Sequence, residues 1–238
     1  MLFDLRGRGR RRTVQVIYLS LALLMGGGLV FFGIGGDVQG GLFDAFQQDS
    51  GSADESLKDD VEKWEEKVKA NRGDAAAWAE LARAQFNLAG QTDGFDETTG
   101  QFNGDSRKVV DDAIRAWEQH LKLAGDKPDA DVAARMTSAF IAVGQPEKAV
   151  RTQEIVIDSL PNPGFGQYAA LAQYAYLAGQ NRKGDLASQK AIEDAKEEGQ
   201  SKDRIAELKA SLESIKQQAA QQAVQDAQQG GGAPAPTP

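Results

Sequence analysis

Three times the chain writes two aliphatic residues followed by Gly-Gln: Leu88-Ala89-Gly90-Gln91, Ala142-Val143-Gly144-Gln145 and Leu177-Ala178-Gly179-Gln180. A glycine at such a point ends a helix in the left-handed conformation, and the next helix begins a few residues on. Gly144 and Gly179 stand 35 residues apart and lead into related phrases, "QPEKA" at 145–149 and "QNRKG" at 180–184. A helix–turn–helix unit repeated at that period has a face that it cannot bury alone, so successive units must stack. Between the turns the chain is rich in Ala, Glu, Lys, Gln and Leu, with almost no β-branched alternation, which predicts an all-α fold.

The period and pattern resemble the tetratricopeptide repeat, whose signature is W-x2-L-G-x2-Y, then A-x3-F, then P. The first copy matches with Trp78, Leu81, Ala82, Ala113 and Trp117, has Gln85 where an aromatic is usual with Phe86 just after, and brings Pro128 three positions late. The second keeps Met136, Phe140, Gly144, Ala149 and Pro161, with Ala133 for the tryptophan and Gln153 for an aromatic. The third keeps Tyr168, Leu171, Ala172 and Gly179, but Gly184 replaces the packing alanine, so its second helix is expected to be irregular. The resemblance covers residues 74–195 and implies a short α-solenoid that holds a protein or peptide in a groove lined by the first helix of each pair. Carried over copy by copy, the groove comprises Arg83, Phe86 and Asn87, then Ser138 and Ile141, then Gln173 and Tyr176. Phe86, Ile141 and Tyr176 read equally well as core, because groove and core positions are neighbours on a helix.

Residues 54–200 form the repeat domain in this reading, flanked by helices that cap it. On the amino-terminal side Leu57, Val61, Trp64 and Val68 make one apolar stripe. On the other, residues 201–229 start at a Ser201 or Asp203 cap and carry Ile205, Leu208, Leu212 and Ile215, before a Gly/Pro tail at 230–238 without structure.

Only the first copy is broken open, by an insertion at 91–105 rich in Gly, Thr and acids. Phe95 and Phe102 flank "DETTGQ", a stretch able to close a short hairpin and fold its aromatics onto the repeat or offer them to a partner. Deleting residues 92–104 is expected to leave the helices intact. Asp93, Asp96, Glu97, Asn103 and Asp105 are hard oxygen donors, but their spacing misses the twelve-residue calcium loop, so no metal or other cofactor is expected.

Ahead of the domain, residues 1–12 hold five arginines, and Val14 to Gly36 runs 23 residues without a charge. That length is roughly 34 Å as a helix, enough for a hydrocarbon core about 30 Å thick. Residues 13–36 therefore read as a transmembrane signal anchor; a cleaved signal peptide would have a shorter apolar run and a small-x-small site. With the next basic residue at Lys58, the basic tail stays cytoplasmic and the body lies outside, tethered by residues 37–53. This layout resembles the ancillary subunit that accompanies the Sec translocon in some bacteria, which implies a role with emerging polypeptides. Ala22 and Gly26 form a small-xxx-small face, which with the last helix supports an alternative, a self-associating envelope organiser.

Charge and inventory narrow the rest. The net charge is −8 with the arginine tail included, so the body is acidic and repels nucleic acid. There is no cysteine, and one histidine, His120, sits inside a helix. With no nucleophile–base pair and no phosphate-binding loop, the expectation is a binding protein rather than an enzyme.

Overall fold

A computed structural model describes residues 53–91, 94–96 and 101–230. The expected membrane span, the tether and the final tail lie outside these residues. Among the described residues no helix is long and apolar enough to cross a membrane.

The elements run α1 (Ala53–Ala70), α2 (Ala75–Gln91), β1 (Phe95–Asp96), β2 (Gln101–Phe102), α3 (Gly104–Ala124), α4 (Ala130–Ala142), α5 (Pro146–Ser159), α6 (Phe165–Leu177), α7 (Asn181–Glu197) and α8 (Lys202–Gly230). The described residues are helical apart from one hairpin of two-residue strands, as composition predicts. It divides into two compact units, one ending at Ser159 and the other beginning at Leu160.

Recurring turns have a common geometry. Gly144 has φ 73° and donates its N–H to Ile141 O, while Gln145 N–H reaches Phe140 O at 2.8 Å. Gly179 and Gln180 repeat these two bonds onto Tyr176 and Ala175, with φ 69° at the glycine. Both are Schellman ends, in which a left-handed residue lets two successive N–H groups cap the last carbonyls. The glutamine carbonyl then accepts the first bonds of the next helix, from Lys148 and Ala149 in one case and Gly184 in the other.

Another Gly-Gln, at Gly199 and Gln200, makes the same pair of bonds to Lys196 and Ala195. The sequence reading missed it as a repeat word, although the dipeptide was there to be seen. Gly90 differs: α2 runs through it to Gln91, because the insertion takes the chain onward.

In the first unit α2 packs on α3, α4 on α5, α1 on α2, and α2 also touches α4. The core is Leu81, Val110, Ile114, Trp117, Val132, Met136, Phe140 and Val150, with Ala82, Ala113 and Ala149 fully buried where helices approach closely. Of the expected α1 stripe only Val68 is buried; Leu57, Val61 and Trp64 are half-buried, as suits an end helix.

The second unit packs α6 on α7 and lays α8 on both. Leu208, Leu212 and Ile215 are the buried α8 positions, and Ser201 Oγ caps the helix by accepting from Arg204 N–H at 3.2 Å. At Gly184 the expectation of an irregular helix is corrected. Helix α7 is continuous from Asn181 to Glu197, and Gly184 is required because a Cβ there would stand 2.5 Å from the Tyr176 ring.

Helix propensity alone favours Gly184→Ala by about 1 kcal/mol. Displacing a packed ring costs about 1–3 kcal/mol. The substitution is therefore expected to lower the thermal midpoint, and a rise would show that the ring yields freely.

Candidate functional site

Seven side chains were assigned to a groove from the repeat pattern, and they separate by exposure. In the first unit Arg83 is exposed and pairs with Glu80 one turn earlier, while Asn87 is half-buried one turn on. Ser138 and Ile141, half-buried on α4, belong to the helix that α2 touches. These four remain accessible on adjoining helices of one unit.

The other three do not. Phe86 is 4% exposed, Gln173 7% and Tyr176 3%, so each contributes to a core rather than to an open face. For Phe86 and Tyr176 the core alternative prevails; for Gln173 burial was not anticipated. For Phe86 and Tyr176 the reason is a neighbour from another element.

Phe86 is covered by the insertion. Phe95 pairs with Phe102 and Asp96 with Gln101 in an antiparallel hairpin, and Asn103 N–H donates to Gly94 O at 2.7 Å. Phe102 meets Phe86 edge to face at 6.1 Å between ring centres, and is itself buried. The chains approach so closely that a Cβ at Gly94 would lie 2.4 Å from Asn103 O. Phe102 is thus a packing residue, not a free recognition residue; the Phe95 side chain lies outside the described residues. Those of Asp93, Asp96 and Glu97 do too, and Asp105 is held by Lys108 at 2.8 Å.

Tyr176 is fixed by a polar cluster spanning three helices. Its hydroxyl donates to Asp185 Oδ1 at 2.9 Å, and Lys216 of α8 donates to the same oxygen at 2.6 Å. Lys216 also sits over the Tyr176 ring, 5.8 Å from its centre. The hydrogen bonds from Lys216 and then Tyr176 hold the Asp185 carboxyl below the usual carboxylate range. Burial, with the bond to Asp185, pushes the Tyr176 phenol up. The cluster ties α6, α7 and α8 together, with Tyr176 buried and the Asp185–Lys216 pair part-exposed.

His120 is likewise structural in its contacts. It is 3% exposed and stacks on Trp117 with ring centres 4.9 Å apart. Asp129 N–H donates to Nε2 at 2.9 Å, so Nε2 is the acceptor and Nδ1 carries the proton, which it gives to Ala75 O at 2.8 Å. One side chain thereby joins the start of α2 to the start of α4, where the Asp129 carboxylate caps the helix by accepting from Val132 N–H at 3.0 Å. The clamp was not legible from sequence because its partners are backbone groups 45 and nine residues away.

Two open depressions lie elsewhere, one beside α1 with Val61 and Leu88 in its lining, the other at the turn into α7 with Leu186 in its lining. The accessible set that the arrangement leaves for contact is therefore Arg83, Asn87, Ser138 and Ile141. No family model, curated protein or solved structure matches this chain.

Proposed function

We propose that this chain is a membrane-anchored protein-interaction scaffold of tetratricopeptide type, whose helical domain lies on the extracytoplasmic side of a bacterial membrane and binds a polypeptide. The observation that carries the reading is the stacking of two helix pairs in the first unit, with α2 on α4 and Arg83, Asn87, Ser138 and Ile141 left accessible on those two helices. The uncharged run Val14–Gly36 behind five arginines supports the anchor and its orientation. The layout supports a role beside the protein-export machinery, where unfolded segments emerge. No residue of the chain is assigned a catalytic role.

Site-specific photo-cross-linking in native membranes tests this. Cross-linkers at positions 83, 87 and 138 are expected to capture polypeptides that a cross-linker at Arg151, exposed on α5, does not. Identical products from both faces would sink the groove. The alternative is an envelope organiser that self-associates through α8, whose residues 221–225 are exposed along the helix. Sedimentation with and without residues 221–229, beyond the buried positions of α8, separates the two, because only an organiser loses its oligomer on truncation.

A further inference from the structure

Five asparagines occur in the sequence, and only Asn103 is followed by glycine; Arg72, Leu88, Pro163 and Arg182 follow the others. Asn103 is exposed, precedes α3 and makes no side-chain capping bond to it. Gly104 has φ 54°, and nothing lies within 4 Å of where its Cβ would be. As the first residue of α3, Gly104 has an N–H outside the intrahelical ladder, so its nitrogen is not held by a helical bond.

We propose that Asn103 is a site of spontaneous deamidation, a covalent modification that ages the joint between β2 and α3. The Gly104 amide nitrogen, after losing its proton to solvent hydroxide, attacks Asn103 Cγ. A Cγ–N bond forms, the Cγ–Nδ2 bond breaks, and ammonia leaves a five-membered succinimide. Water then adds to one ring carbonyl. Addition at Cγ yields aspartate with the backbone as before; addition at the main-chain carbonyl routes the backbone through the side chain as isoaspartate.

Ring closure must turn the extended Asn103 backbone, at ψ 160°. The turn works against the Asn103 N–H bond to Gly94 O, the close approach of Asn103 O to Gly94 and a weak Arg107 N–H contact to Asn103 O at 3.4 Å. The two products differ in effect. Aspartate places a carboxylate at the amino end of α3, where it is favoured. Isoaspartate adds a backbone carbon between Phe102 and α3, which pulls the hairpin from Gly94 and Phe102 from Phe86.

The full chain, held at mildly alkaline pH and mapped by peptide mass spectrometry, is expected to gain about one dalton at position 103. The rate there should exceed that at the other four asparagines by at least about tenfold, a barrier lower by about 1.4 kcal/mol. A rate no higher than at Asn87 in the native chain would overturn the site. Asn103→Gln should block the gain, and Asn103→Asp should supply the charge without the extra backbone atom. Aged wild type is expected to be cut by protease within residues 92–103 sooner than either variant. If Asn103→Asp is cut as readily as aged wild type, the loosening attributed to isoaspartate is wrong.

Discussion

Replacing His120 with alanine is expected to cost the chain about 3–5 kcal/mol of stability, read from urea unfolding followed by circular dichroism. The figure combines two half-buried backbone groups left without partners, at the low end of about 1–3 kcal/mol each, with the stacking on Trp117 at about 0.5–1.5 kcal/mol. His120→Phe separates the contributions. A phenyl ring keeps the volume and the stack but strands Ala75 O and the Asp129 N–H, so it should lose most of the same stability. If both variants unfold within about 1 kcal/mol of wild type, water satisfies these groups and the clamp is not a stabilising element.

Phe102→Ala should produce the second large effect. Truncating a buried phenylalanine costs about 3–5 kcal/mol in a full core. Phe102 is packed at the edge of one, so about 2–4 kcal/mol is expected, and in a chain of this size the thermal midpoint should fall by roughly 5–15 °C. The same reasoning changes what deletion of residues 92–104 should do. That deletion removes Phe102 and the Asn103 bond to Gly94 together, so a loss of this order is expected in place of an unperturbed melt. A melt unchanged in both variants would place the hairpin outside the cooperative unit.

The two effects bear on function through position. Phe102 lies on Phe86, which directly precedes Asn87 and stands one turn after Arg83 on the same helix, so the insertion bounds the accessible face of α2 without covering Arg83. Removing the hairpin would lengthen that face, and the groove is best mapped with the hairpin in place.

Fold class was legible in the chain itself. Helix-forming composition and the Gly-Gln stops depend on interactions within about one helical turn, and those local rules placed α4 to α7 and their turns. The hairpin was legible as an option, since "DETTGQ" can close and its flanking aromatics can pair. The accessible set was only half legible. Arg83 and Ser138 fall where a repeat pattern puts them, but Phe86, Gln173 and Tyr176 occupy positions that the same pattern treats as equivalent.

Sequence by itself determined that this chain is helical, that its helices come in pairs at a regular period, and that one pair carries an insertion. Those properties follow from backbone propensity and capping, which act between residues close in the chain. Tertiary structure alone decided which faces stay open: Phe102 closes over Phe86, Lys216 and Asp185 lock Tyr176, and His120 binds backbone atoms of two other elements. Each is a contact between segments that propensity treats independently. Exposure depends on what arrives from elsewhere in the chain, and a helical period read one segment at a time carries no information about that arrival.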